Sequence, residues 1–135
     1  MRIVIDTNVI ASAIFFGGRP REAVELLLEK KIQAYANTEI IDEYIATVNY
    51  LKEKYTGKKV TIPLDYIVSA CTVIETRTNV TASRDPDDDK FINCAIDSKS
   101  LYIVSGDKDL LSLEQWDGIE IITVGEFLNR YQKTL

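Results

Sequence analysis

Short apolar runs that alternate with longer helical segments are the feature that most restricts how this sequence can fold. The first run, Ile3-Val4-Ile5, is too short for an ordinary helix and suits a strand buried on both faces of a sheet. Strands that alternate with helices are typical of an α/β fold with a mostly parallel sheet. We predict a sheet of about five strands flanked by helices, with strands at residues 3–5, 32–36, 78–82, 101–104 and 119–124.

The predicted helices begin at residues that favour the first turn of a helix. Pro20 and Pro63 fit such a turn because proline has no N–H group that needs a partner there. Asn37 or Thr38 can cap the helix that follows the second strand. The predicted helices occupy residues 21–31 and 39–54, a segment that starts at Pro63, residues 86–98, a short segment from Leu110, and residues 126–133.

The composition excludes several classes of catalytic site. The chain has 135 residues, a length typical of one domain, so we expect a single domain over residues 1–135. It contains no histidine, which excludes Ser-His-Asp and Cys-His catalysts and imidazole-ligated metals. Its two cysteines, Cys71 and Cys94, do not form a CxxC pair, which argues against a thiolate zinc site. Carboxylates, hydroxyls and amines must therefore carry any chemistry.

The net charge and the apolar runs bear on partners and location. The formal net charge is −5, so the overall basic balance of many nucleic-acid-binding proteins is missing, although a bound cation can reverse the local field near acidic residues. No apolar run approaches the ~18 residues of a membrane helix, and the N-terminus does not resemble a signal peptide. We therefore expect a cytoplasmic protein that does not associate with membranes.

Acidic residues follow two of the predicted strands at the point where each strand ends. Asp6 comes directly after Ile3-Val4-Ile5, and Asp107 and Asp109 follow the strand that ends at Val104. In open α/β sheets, ligands bind at the carboxyl ends of the strands, so these acids lie where a site is expected. The simpler interpretation is that each aspartate only caps the helix that follows it.

A third acidic region opens the helix that follows Pro86. Asp88 precedes Phe91 and Ile92 by three and four residues, so its carboxylate begins the face that this helix buries. A carboxylate at the edge of the core is costly unless it has a cation or hydrogen-bond donors, which makes Asp88 a candidate ligand. Asp87 should point outward. The alternative is a solvated helix start, where aspartates suit the helix dipole.

A fourth acidic region lies on the helix predicted at residues 39–54. Glu39, Asp42 and Glu43 share this helix, and Asp42 and Glu43 fall on opposite flanks of its apolar stripe. Periodicity alone does not choose among the three acids.

Four motifs, in this order along the chain, resemble those of the PIN domain family. The match is most similar to the single-domain VapC-like proteins proposed as toxins of toxin-antitoxin pairs, and it extends over nearly the whole chain. Each motif alone is weakly specific, but their order and their places at strand ends and on helices make the set specific. The motifs are Asp6-Thr7-Asn8-Val9, Glu43 in its helix, Asp88 within Asp-Asp-Lys-Phe-Ile-Asn-Cys-Ala, and Ser105-Gly106-Asp107-Lys108-Asp109-Leu110.

The resemblance implies a ribonuclease that depends on Mg²⁺ or Mn²⁺ and acts on single-stranded or looped RNA. It also implies an antitoxin protein as a partner, and the apolar stretch from Ile10 to Phe16 could serve an antitoxin or homodimer contact, although use in the core is the simpler expectation. The implied catalytic metal ligands are Asp6, Glu43, Asp88 and Asp107, with Asp109 as a further metal ligand and with Asn8 and Ser105 in auxiliary positions that orient ligands or water.

Two other functions compete with this interpretation. A non-catalytic PIN-like module could keep the same acids as a site for a metal, RNA or a protein partner. Phosphotransfer on an aspartate is the competing enzymatic activity. Haloacid-dehalogenase-like enzymes, however, need a second aspartate two residues after the first, where this chain has Asn8.

Overall fold

The computed structural model describes residues 1–135 and contains one six-stranded sheet in an α/β fold. Along the sheet the strands run in the order β3-β2-β1-β4-β6-β5, and every neighbouring pair is parallel except β5 with β6. The prediction of a mostly parallel α/β sheet is therefore confirmed. The strands are β1 (Arg2–Ile5), β2 (Gln33–Ala36), β3 (Thr72–Val73), β4 (Tyr102–Val104), β5 (Gln115–Trp116) and β6 (Ile119–Ile122).

The structure also contains seven α-helices and one 3₁₀ turn. The side chain of Asn37, rather than that of Thr38, caps α3 by accepting a hydrogen bond from the Ile40 N–H. None of the helices combines the length and the apolar composition needed to cross a membrane. The helices are α1 (Thr7–Phe15), α2 (Gly18–Leu28), α3 (Thr38–Lys54), α4 (Leu64–Ala70), α5 (Asp89–Ser98), α6 (Lys108–Leu111) and α7 (Val124–Lys133), and the 3₁₀ turn is Pro86–Asp88.

The hydrophobic core is centred on β1 and β4, the two middle strands of the sheet. Ile3, Val4 and Ile5 are all buried, as expected for a strand covered on both faces. Ile10 and Ile14 of α1 are also fully buried, so most of the apolar stretch before Gly17 belongs to the core. Burial of these middle strands fixes the position of the residues that follow them.

The strand predicted at residues 78–82 is wrong, because β3 lies earlier in the chain at Thr72–Val73. Residues 77–83 instead run along α5, where Asp89, Asn93 and Asp97 form a polar stripe. Thr78 N–H donates to Asp97 (3.0 Å), Val80 N–H to Asn93 (2.9 Å) and Ala82 N–H to Asp89 (3.1 Å).

The spacing of these contacts explains why the segment needs no strand partner. Two extended residues advance by about 6.6 Å, and four helical residues advance by about 6 Å. Alternate N–H groups of an extended segment can therefore meet side chains spaced four apart on a helix. Because α5 side chains satisfy these backbone donors, a neighbouring strand is not required.

The antiparallel strand β5 was not predicted. It forms a hairpin with β6, in which Trp116 lies opposite Ile119 and only two residues make the turn. Both turn residues, Asp117 (φ 51°) and Gly118 (φ 81°), have positive φ, as a type I′ turn requires. Asp-Gly is a strong local signal for such a hairpin, but the flanking strand is too short for its pattern to be visible in the sequence.

Candidate functional site

The carboxyl ends of β1 and β4 bring two of the predicted site residues together. The strands are parallel neighbours, with Ile5 opposite Val104, so Asp6 and Ser105 follow at the same edge of the sheet. The Asp6 N–H continues the ladder by donating to the Val104 carbonyl at 2.9 Å. The backbone ladder, and not a flexible loop, therefore sets the position of Asp6.

Ser105 connects the acids that follow the two strands. Its fully buried hydroxyl donates to Asp6 Oδ2 at 2.6 Å and accepts the Asp107 N–H at 2.9 Å. Asp6 precedes α1 but makes no side-chain capping bond, whereas Asp107 caps α6 by accepting the Asp109 N–H at 2.8 Å. Capping therefore accounts for one oxygen of Asp107 and does not account for the carboxylate of Asp6.

Three of the predicted ligands form a close group, which we call the acid cluster: Asp88, Asp107 and Asp109. One carboxylate oxygen from each lies within 4.8 Å of one from each of the others. Asp88 is only 8% exposed, and its Oδ2 atom is buried without any hydrogen-bond partner. A buried carboxylate oxygen without a donor is costly, and it is rare in folded proteins unless the site has another role.

The electrostatics of the site favour protons or cations over free carboxylates. Burial, followed by the negative charges of Asp107 and Asp6, raises the pKa of Asp88 to about 7. Burial also raises the pKa of Asp6, although its hydrogen bond from Ser105 acts in the opposite direction. A bound cation would relieve this repulsion and would supply the missing partner of Asp88.

The donor set fits a hard divalent cation. The acid cluster offers only oxygen ligands, which Mg²⁺ and Mn²⁺ prefer over nitrogen and sulfur. The orphaned Oδ2 atom of Asp88 is the observation that separates this group from an ordinary exposed acidic surface. Asp88, Asp107 and Asp109 could therefore hold a metal ion, with Asp6 nearby through Ser105.

Glu43 faces this edge of the sheet but makes different contacts. Its two carboxylate oxygens accept a hydrogen bond from the Thr7 hydroxyl and form an ion pair with Lys90. The competing acids of α3, Glu39 and Asp42, are exposed. Of the three α3 acids, Glu43 is the one that contacts Thr7, the residue after Asp6, and it pairs with a lysine and not with the acid cluster.

Thr7 and Lys90 are site residues whose role the sequence did not reveal. Lys90 is largely buried, with 12% of its side chain exposed, and it also donates to the Asp87 carbonyl at 2.6 Å. Thr7 follows Asp6 directly and Lys90 lies two residues after Asp88, but their shared partner, Glu43, lies on a distant segment. Asn8, the remaining predicted residue, is exposed and lines a neighbouring cavity without contacting the acid cluster.

Tyr44 fixes the helix that carries Glu43. It is 1% exposed, and its hydroxyl donates to the carbonyl of Ile5, the residue before Asp6. Burial raises the pKa of this phenol well above its usual value, so the proton stays on the hydroxyl and the bond persists at neutral pH. Tyr44 therefore ties α3 to the carboxyl end of β1.

Comparison with known proteins agrees with the geometry. A family model described as "PIN domain" matches residues 2–109, which include every residue of the acid cluster. The uncharacterized protein MJ1680 of Methanocaldococcus jannaschii is 34% identical over 145 aligned residues, which cover 98% of this chain and 93% of that relative. PIN domains are generally nucleases that use divalent metal ions. By sequence match and by fold, this chain belongs to the PIN domain family.

Proposed function

We propose that this chain is an endoribonuclease that depends on Mg²⁺ or Mn²⁺ and hydrolyses phosphodiester bonds in RNA. The observation that carries the proposal is the orphaned, buried oxygen of Asp88 beside Asp107 and Asp109. Three close carboxylates are expected to bind a cation at neutral pH. The positive charge of that cation would reverse the local field and allow a phosphate group to approach. The absence of histidine is compatible with this proposal, because oxygen ligands suffice.

In this proposal Asp88, Asp107 and Asp109 hold the metal ion, and Asp6 and Glu43 complete the group. We call these five acids the acidic edge. When bound, the ion supplies charge neutralisation at the phosphate and lowers the pKa of a coordinated water. Ser105 acts as a positioning residue, because its hydroxyl donates to the Asp6 carboxylate and accepts the backbone N–H of Asp107, which fixes these two residues relative to each other. Because its pKa is raised to about 7, Asp88 holds a proton on part of the molecules near neutral pH, and a bound cation would take the place of that proton.

The substrate class follows from the depth of the site. Asp6 and Asp88 are 3% and 8% exposed, so a scissile phosphate must approach a recessed edge. Single-stranded or looped RNA can bend its backbone into such a recess more readily than a regular duplex can. We therefore propose single-stranded or looped RNA as the substrate.

Cleavage of a labelled, mixed-sequence single-stranded RNA tests the enzymatic part of the proposal. We expect the purified wild-type chain to cleave it with Mn²⁺ or Mg²⁺, and EDTA to stop the reaction. Asp6→Asn should abolish cleavage without unfolding the chain, whereas Asp42→Asn, at an exposed acid of α3, should cleave as the wild type does. If calorimetry shows metal binding but no RNA is cleaved, the non-catalytic PIN-like module becomes the better description.

The further assignment as a toxin, paired with an antitoxin protein, rests on the resemblance to VapC-like proteins. Induced expression in a bacterial host tests it, with growth as the readout. We expect arrest with the wild-type chain and normal growth with Asp6→Asn at equal protein levels. Normal growth with an active wild-type enzyme would leave a ribonuclease that is not a toxin.

A further inference from the structure

A cavity of about 430 Å³ lies beside the acidic edge of the sheet. Its walls come from the residues that follow β1, β4 and β6 and from the start of α2. Ser105 lines this cavity and also holds Asp6, so the cavity and the acidic edge share a wall. The volume lies within the range of roughly 300–1,000 Å³ that is usual for small-ligand sites.

The lining of the cavity differs in charge from the acid cluster. No acidic residue lines it, and Arg19 is its one charged residue. The four ion pairs of the structure involve other cations, namely Arg21, Lys31, Lys90 and Arg130. Arg19 therefore presents a guanidinium group without an acidic partner to an open space next to the acids.

Gly125 packs closely against the guanidinium group of Arg19. A Cβ atom at Gly125 would lie 2.6 Å from Nη1 of Arg19, so a side chain at this position would displace the guanidinium group. At Gly106, on the wall nearest the acids, a Cβ atom would meet nothing within 4 Å. A side chain at position 125 would therefore move Arg19, whereas a Cβ atom at position 106 would meet no neighbouring atom.

Two other arginines in the first elements of the chain, Arg2 and Arg21, are engaged elsewhere. Arg2 donates to the Ser98 carbonyl and lies over the Tyr35 ring, at the opposite end of β1 from Asp6. Arg21 pairs with Glu25, one turn further along α2. Arg19 is the arginine that faces the cavity.

We infer that this cavity is a subsite for the RNA nucleotide next to the scissile phosphate, with Arg19 binding that nucleotide's phosphate group. The inference rests on the proposed ribonuclease function and extends it to a defined substrate contact. Arginine suits the role because its planar guanidinium group can donate two parallel hydrogen bonds to a phosphate. Asn8 and Ser12 add polar groups for the sugar or the base.

Binding of a fluorescein-labelled, single-stranded 12-nucleotide RNA tests the inference. The measurement uses the Asp6→Asn chain with Mn²⁺, so that the RNA remains intact, and adds either Arg19→Gln or the matched control Arg21→Gln. We expect Arg19→Gln to weaken binding by about tenfold, because it removes a charge-assisted contact. It should also weaken the salt dependence: the negative slope of log affinity against log salt should become shallower by about 0.7, the value for one phosphate contact on a single strand. Arg21→Gln should change neither quantity.

Gly125→Ala provides a second variant that keeps the charge of Arg19 and displaces its guanidinium group. We expect it to weaken RNA binding several-fold while the melting temperature stays that of the parent chain. Metal-dependent cleavage by the wild type, together with equal RNA binding by the Arg19 and Arg21 variants, would overturn the subsite and leave the ribonuclease. Loss of binding through Arg19 in a chain that never cleaves RNA would support the Arg19 phosphate contact and overturn the nuclease.

Discussion

Two neighbouring aspartates, Asp88 and Asp89, show how differently this fold treats equally buried carboxylates. Both are 8% exposed. Asp89 accepts N–H groups from Ala82 (3.1 Å) and Ser83 (2.7 Å), whereas Oδ2 of Asp88 has no partner and faces other acids. Backbone donors make Asp89 a structural group that holds the segment along α5. Their absence makes Asp88 a group that needs a proton or a cation.

The same contrast extends to pH. Hydrogen bonds from Thr78, first from its hydroxyl and then from its N–H, lower the pKa of Asp97 in the polar stripe. Asp97 therefore stabilises the fold when ionised, and this contribution disappears as pH falls through its lowered pKa. Burial and repulsion raise the pKa of Asp88, so the acid cluster is most stable when protonated or bound to a cation.

The largest effect is expected from Asp88→Asn. Loss of this ligand should reduce metal-dependent RNA cleavage by more than about 100-fold, since even outer partners of metal sites contribute about 10- to 100-fold. The melting temperature should not fall, because the substitution removes a repelled charge. Asp87→Asn, at an exposed neighbour, is the control and should cleave normally. Wild-type rates in the Asp88 variant would remove it from the site.

The affinity for Mn²⁺ should depend strongly on pH. The pKa of Asp88 is about 7 in the fold and about 3.9 in an unfolded chain, so the folded state holds an extra proton between these values. Rising pH should therefore destabilise the metal-free fold across this window. Mn²⁺ must displace that proton, so its affinity should increase by up to about tenfold per pH unit below pH 7.

Calorimetric titration with Mn²⁺ at pH 5.5, 6.5 and 7.5, in two buffers of different ionisation enthalpy, measures both the affinity and the protons released. Asp88→Asn should flatten the dependence of the metal-free melting temperature on pH. An affinity that does not change with pH would show that Asp88 is not a ligand.

Asp89→Ala should have the opposite signature to Asp88→Asn. It leaves two backbone N–H groups of the 77–83 segment without their acceptor, which should lower the free energy of unfolding by about 1–3 kcal/mol. The rate of cleavage per folded molecule should remain close to that of the wild type. Denaturant unfolding measures the effect, and Asp87→Ala serves as the exposed control. Undiminished stability would contradict the structural role of Asp89.

The smallest effect is expected from Lys90→Gln. Lys90 is a fixed positive charge beside the acidic edge and occupies one oxygen of Glu43. Its neutral replacement should tighten Mn²⁺ binding by about three- to tenfold through the loss of a nearby like charge. Lys52→Gln, at an exposed position of α3, makes the same change in net charge and should leave the affinity unaltered. Weaker Mn²⁺ binding in the Lys90 variant would mean that the lysine supports the ion.

The strand-end acids were predictable from the sequence because their positions depend on local pattern. Continuous apolar runs identify β1 and β4 as central strands, and parallel central strands must end at one edge. Asp6 and Asp107 therefore follow from the local pattern, whereas the auxiliary role of Ser105 comes from the resemblance to the PIN family. Asp88 also follows, since helical spacing places it at the start of a buried face.

Other features depend on partners that the local sequence does not indicate. The segment 77–83 has residues compatible with a strand, but side chains of α5, and not a neighbouring strand, satisfy its backbone donors. The position of Glu43 depends on Thr7 and Lys90, which come from two other elements. Long-range pairs of this kind are decided by packing, which periodicity does not encode.

The position of β1 in the middle of the sheet also determines when activity can arise during synthesis. β1 is synthesised before its neighbour β4, which ends at Val104, so Asp6 meets Ser105 and Asp107 only after that later segment has been made. Parallel neighbours so distant in sequence form late in folding. A nascent chain on the ribosome, held next to abundant RNA, therefore carries no assembled acidic edge until the segment through Asp109 has emerged.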